Sequence, residues 1–263
     1  MLILLEGAAL FYVLHVLVLL TGRAGKCLLT GRIAAALVSV GFIAHTLAII
    51  LRIQATGHAP MASMFETLIF YAWCTVLVTI IVNLRYRERL PGLITLPVAV
   101  LSLIFAISRY ETGRPLNLIL QTRWFELHVT LSFAAYALFT LAFAGAILFL
   151  YGSYRWKVEG SEKTLRKYED IAGKGVLWGF LLFSGAMISG AVWGYLAWGA
   201  YWLWEPKSIW SLILWFYYAG AMHAWYVRKW RGRGLSVATI IGFGLLLFTY
   251  LGVSLLMKSS HMF

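Results

Sequence analysis

The residues with the most chemistry to offer are six histidines in a strongly apolar chain and a dense run of tryptophans. The run is WGYLAWGAYWLWEPKSIW, from Trp193 to Trp210, and with Trp215 just beyond it places six indoles around the trio Glu205-Pro206-Lys207. Indoles anchor helices at bilayer surfaces, but an anchoring belt uses one or two rings per helix end. Trp198, Trp202, Trp204 and Trp210 lie close enough in sequence to build a broad aromatic surface, expected here as a flat floor for a large planar ligand. Gly194, Gly199 and Pro206 interrupt the segment, so one continuous helix through it is not expected.

Histidine is the natural partner for such a surface. A pair of neutral imidazoles facing each other across a gap supplies the axial ligands of an iron porphyrin. His128 falls in the first turns of one apolar stretch and His261 follows the end of the last, both at the depth expected for the tryptophans. His223 sits near the opposite end of its stretch, His45 in the outer half of its own, and His15 deep in the first. Ionisable groups at depth in a bilayer are costly and mark function or a packed, hydrogen-bonded interior. The latter reading suits His15. Cys27 and Cys74 have no metal or redox spacing, and no side chains form an evident acid–base pair.

These residues need elements to hold them. The chain has 263 residues, 62% hydrophobic and 12% charged, and a mean hydropathy of +0.82, values outside the range of water-soluble domains. An all-α integral membrane protein follows, a single membrane domain over 1–263 built as a bundle of about eight transmembrane helices with a tryptophan-rich outer platform. The spans are expected near 2–20, 33–51, 66–84, 91–108, 124–151, 173–193, 208–227 and 235–257. The first stretch lacks a basic leader and a small-residue cleavage site and is expected to be a retained span.

Alternate connections hold sixteen of the 22 Lys and Arg residues. By the positive-inside rule those connections are cytoplasmic, which puts both termini, His128, His261 and the tryptophan segment outside. The net charge of +12 is thus a topology signal scattered between apolar runs, not a basic face for nucleic acid. The outer connection RIQATGHAPMASMFETL is expected to be a shaped, re-entrant loop, with Ser63 and Glu66 as a capping box for the third helix. Leu116 to Leu120 reads as an interfacial amphipathic helix and 152–172 as a solvated helical hairpin.

The segment WGAYWLWEPKSIW resembles the WWD signature, WGsYWxWDPKEtW, of the haem-handling cytochrome c assembly family, and most closely its CcsA (ResC) branch. Three further stretches resemble that family in order: Gly57 to Trp73, Glu126 to Ala137, and Tyr250 to His261. The resemblance covers about 45–263, with the WWD-like part at 193–215. It implies a protein of a bacterial inner membrane, or of a thylakoid, that moves haem b outward and presents it for covalent attachment to CxxCH of apocytochrome c. In that scheme the protein is a subunit of a system II cytochrome c synthase (haem lyase).

Carried over by matching position, the resemblance makes His128 and His261 the outer axial ligands and His223 a ligand of an inner haem site. Trp198, Trp202, Trp204, Trp210 and Glu205 belong to the platform. The implied partners are a CcsB/ResB-like membrane subunit, apocytochrome c and a thiol-reducing protein. Two positions depart from the signature, Glu205 for its Asp and Ser208 for its following Glu. Other readings stay open: a HemX-like regulator of haem supply, which shares these motifs, and a bis-histidine membrane electron carrier using His45 or His15 with His223. An unrelated solute transporter would place Gly and Pro at mid-membrane, whereas here they cluster in outer loops.

Overall fold

The computed structural model describes residues 1–21, 28–113, 116–155, 161–227 and 230–257. His261, the second expected outer ligand, lies outside them. Among the described residues eight long helices follow the eight apolar stretches, and the chain divides into two compact units, Met1–Leu120 and Gln121–Phe263.

The first unit holds α1 (Leu2–Thr21), α2 (Leu28–Thr56), α3 (Met64–Tyr86) and α4 (Gly92–Ser108). In α1, Leu5, Ala8, Tyr12, His15 and Leu19 recur at helical spacing and form its buried stripe. Polar contacts then join neighbouring helices. Nδ1–H of His15 donates to the carbonyl of Ala34 at 2.7 Å, Trp73 Nε1–H to Thr46 Oγ1 at 2.9 Å, and Thr79 Oγ1 to Thr95 Oγ1 at 2.7 Å. His15 is therefore a packed interior residue, as read from its depth, and His45, also buried, lies 3.3 Å from the Tyr12 hydroxyl.

The α2–α3 connection is the most polar part of this unit. Ser63 caps α3 by accepting the Glu66 N–H. The reciprocal half of the expected capping box is absent. Glu66 instead accepts the Ala62 N–H at 2.9 Å and the Arg52 Nε–H at 2.8 Å, because a buried arginine offers a stronger, charge-assisted donor than the backbone of Ser63. Arg52 also donates to the carbonyl of Glu111. The expected amphipathic helix at 116–120 is only one 3₁₀ turn, Leu118–Leu120, with Leu118 83% exposed; so few residues cannot nucleate a helix.

The second unit holds α5 (Arg123–Arg155), α6 (Ser161–Trp198), α7 (Pro206–Tyr226) and α8 (Arg233–Leu247). After α8 come a π turn over Phe248–Gly252 and a last helical turn, Val253–Leu256. The pairing of α5 with α6 is the most intimate among the described residues. Gly145 and Gly175 permit it: a Cβ on either would stand 2.9 Å from backbone atoms of the facing helix. Tyr218 of α7 stacks on Phe139 of α5 with ring centroids 3.8 Å apart, and Tyr217 donates to the Ala238 carbonyl of α8.

The charged stretch at 152–172 is not a separate hairpin. Its described residues extend α5 and α6, whose charged ends are good helix formers joined by pairs such as Asp170–Lys174 at 2.8 Å. Among the described residues six helical segments are long and apolar enough to cross a membrane. The other two expected spans are α4, with 17 residues, and α7, whose tryptophans, tyrosines and serines lower its hydropathy. The chain is a multi-pass membrane protein.

Candidate functional site

The tryptophan segment breaks at one of its three expected places and begins a helix at another. Gly194 stays inside α6. Gly199 ends that helix with φ of +74°, its N–H donating to the Tyr195 carbonyl, a left-handed exit that favours glycine. Pro206 then opens α7 at its first turn, where a missing N–H costs nothing. Between them, 199–205 form a short loop bridged by Tyr195 and Tyr201, stacked at 4.5 Å.

The rings do not make a flat floor. Trp193 and Trp198 meet edge to face at 67°, as do Trp202 and Trp204 at 74°, the arrangement that the ring quadrupole prefers. Trp193 is buried, at 3% exposure, whereas Trp204 is 77% exposed. Trp210 packs edge-on against Phe248 beside the π turn, and Trp215 donates to Ser184 at 2.9 Å. Instead of paving a plane, the indoles stand as walls.

What they wall is a half-open pocket with about 720 Å³ of empty space, counting its mouth. Its lining brings together His128 of α5, Met187 and Trp193 of α6, Trp198 and Trp202 beside the loop, and Lys207 of α7. Ser132 and Tyr136 lie one and two turns along α5 from His128 and line it too. Trp204, Trp210 and Glu205 are outside the lining. His223 is also elsewhere, on an exposed face of α7 near its C-terminal end, with Phe216 and Gly220 on that face.

His128 is the best-defined group in the pocket. Its Nδ1–H donates to the carbonyl of Ala186 at 2.7 Å. A carbonyl can only accept, so Nδ1 carries the proton and, in the neutral ring, Nε2 carries the lone pair. Trp193 stacks on the imidazole at 18° from parallel, with centroids 6.1 Å apart. This is the donor state that iron or another transition metal requires of a histidine. Sequence spacing had pointed to His128 but missed Met187, Tyr136 and Ser132. Met187 and Tyr136 read as ordinary residues of apolar helices, and nothing in the sequence marks them otherwise.

At the α7 end, Lys207 Nζ–H donates to Ser254 Oγ at 3.3 Å, tying α7 to the turn that follows the π segment. Thr249, inside that segment, donates to the Trp210 carbonyl at 3.5 Å. The π turn therefore lies against the platform side of α7, and π turns are frequent at functional sites.

The sequence matches the Cytochrome C assembly protein family over residues 61–261. The chain belongs to this family. The match takes in His128, the tryptophan segment, the pocket lining and His261. Cytochrome c biogenesis protein CcsA of Mesostigma viride is 30% identical over 234 residues, covering 78% of this chain and 77% of that protein. The protein of the same name from Gloeobacter violaceus is 29% identical, covering 78% of each chain. Among solved structures, Cytochrome c Heme Lyase CcmF is similar with a TM-score of 0.70 and 17% identity, over 98% of this chain and 46% of that one. At that identity the likeness is one of fold, and this chain spans about half of CcmF's length.

Proposed function

We propose that this CcsA-like protein of cytochrome c biogenesis binds haem b in the aromatic pocket and presents it at the outer face for attachment to the CxxCH thiols of apocytochrome c. The observation that carries the reading is His128, set on the wall of an indole-lined pocket with Nδ1–H committed to Ala186 and Nε2 in its ligating form. The donor set fits haem: one imidazole, apolar rings for the macrocycle, and a cation with hydroxyls at one end for anionic groups.

In this reading His128 and His261 would hold the haem iron. Trp193, Trp198 and Trp202 confine the ring by burial and edge contacts. Lys207, Ser208 and Ser211 meet the propionates. When bound, haem supplies vinyl groups to which the cysteine thiols add; the protein's own work is to fix the ring and exclude water around it. Trp204, at the exposed edge, is the group the apocytochrome meets first, with half-buried Glu205 next to it in the chain.

His223 serves a second, inner haem site completed by a CcsB/ResB-like subunit. Its support is placement. A histidine on an exposed helix face within a membrane-embedded segment is costly until a partner or ligand covers it. Both termini and the pocket face outward, opposite the basic connections, and a thiol-reducing protein keeps the CxxCH thiols available.

The test is an absorption spectrum of the purified protein, reduced and oxidised, for wild type, His128→Ala and His261→Ala. Low-spin bis-histidine haem in wild type that is lost or converted to high spin in both variants is the expected result. A spectrum indifferent to both substitutions would overturn the outer-site assignment.

A further inference from the structure

Three neighbours that hold His128 come from one stretch of α6. Ala186 accepts the Nδ1–H hydrogen bond, Trp193 lies nearly parallel to the ring with its centre 6.1 Å away, and Gly190, between them in sequence, leaves the room the ring occupies. A Cβ at Gly190 would stand 2.6 Å from His128 Nδ1 and 2.8 Å from Cε1, separations that real Cβ atoms do not show. Gly190 has ordinary helical geometry and needs no left-handed conformation. Its reason for being glycine is therefore the imidazole. A glycine inside a helix costs roughly 1 kcal/mol against alanine, so the position gives up helix stability for space.

We infer that Gly190 is a positioning residue. With Ala186 and Trp193 it forms a seat on α6 that selects the Nδ1–H tautomer of His128 and aims Nε2 into the pocket. A side chain at 190 would push the ring away from α6, lengthen or break the 2.7 Å bond to Ala186, and release both tautomer and orientation. The seat itself is geometric; its consequence for iron rests on the haem reading above.

Two measurements on the full-length protein test it. The first needs no haem. Histidine ¹⁵N spectra of the haem-free protein, assigned by difference from His128→Ala, are expected to show His128 as the Nδ1–H tautomer in wild type and as a mixture, or the opposite tautomer, in Gly190→Ala. An unchanged tautomer would overturn the seat. The second is a double-mutant cycle on haem retention and low-spin signal. Gly190→Ala is expected to lower retention by roughly ten- to a hundredfold, the usual cost of disturbing a ligand's hydrogen-bond partner, and to add nothing in the His128→Ala background.

If Gly190→Ala alone fails to accumulate but Gly190→Ala/His128→Ala accumulates normally, the clash is with the ring and the inference stands. Equal losses in both backgrounds would make Gly190 a general packing residue and overturn it. If His128→Ala leaves the haem signal intact while the tautomer responds to Gly190, the haem reading fails and the seat survives. The two failures are thereby separated.

Discussion

Trp193 lies almost parallel to His128, its ring 18° from the imidazole plane and 3% exposed. Its ring centre lies 6.1 Å from that of the imidazole, and it also meets Phe125 at 5.1 Å and Trp198 at 4.8 Å. Truncating it removes a wall of the pocket and a support of the histidine together. Trp193→Ala is expected to lower stability by about 3–5 kcal/mol and to weaken the haem signal, whereas Trp193→Phe keeps most of both. Thermal unfolding in detergent, read beside the absorption spectrum, checks this. Equal behaviour of the two variants would show that the ring plays no part in holding His128.

The Arg52–Glu66 pair is buried, at 4% and 1% exposure, and both partners have further hydrogen bonds. Removing one partner leaves a charge without compensation in a low-dielectric site. Arg52→Met and Glu66→Leu are each expected to cost about 3–5 kcal/mol, and the double variant less than their sum. Unfolding midpoints of the four proteins decide it. Additive losses would mean that the pair is not coupled.

The π turn at Phe248–Gly252 places one extra residue in the last helix. Deleting Leu251 is expected to restore plain α-helix and rotate everything beyond by about 100° relative to the platform. Ser254 then leaves Lys207. Helix content should hold while the haem signal falls severalfold, read by circular dichroism and absorption. An unchanged signal would show that the pocket does not depend on the register of this turn.

Topology is tested by single cysteines in a background lacking Cys27 and Cys74. A cysteine at Tyr201, 60% exposed in the platform loop, is expected to react with an impermeant maleimide added outside intact cells. One at Arg231, in the connection before α8, is expected to react only after permeabilisation. The reverse pattern would invert the orientation and with it the direction of presentation.

Much of this protein is local and so was legible in the residues alone. Each apolar stretch long enough to cross a bilayer became a helix, Gly199 and Pro206 end and start helices by their own backbone restrictions, and Ser63 caps α3 from its place beside it. The family resemblance rested on the same contiguous segments. Even His128 stood out, because a histidine at that depth is unusual whatever surrounds it.

Lateral relations were not legible. That Ala186, 58 residues away, accepts the His128 proton depends on how closely α5 and α6 approach, and that approach depends on glycines facing backbone across the pair. Likewise the spacing of the tryptophans shows that rings are abundant but not how they turn. Edge-to-face packing and the exit at Gly199 bury Trp193, expose Trp204, and convert an expected floor into a pocket. The sequence by itself determined which apolar segments become helices and which histidines stand at depth among them. Only the tertiary structure decided which nitrogen of His128 carries the proton and which rings surround it, because those choices depend on contacts between helices that no local spacing encodes.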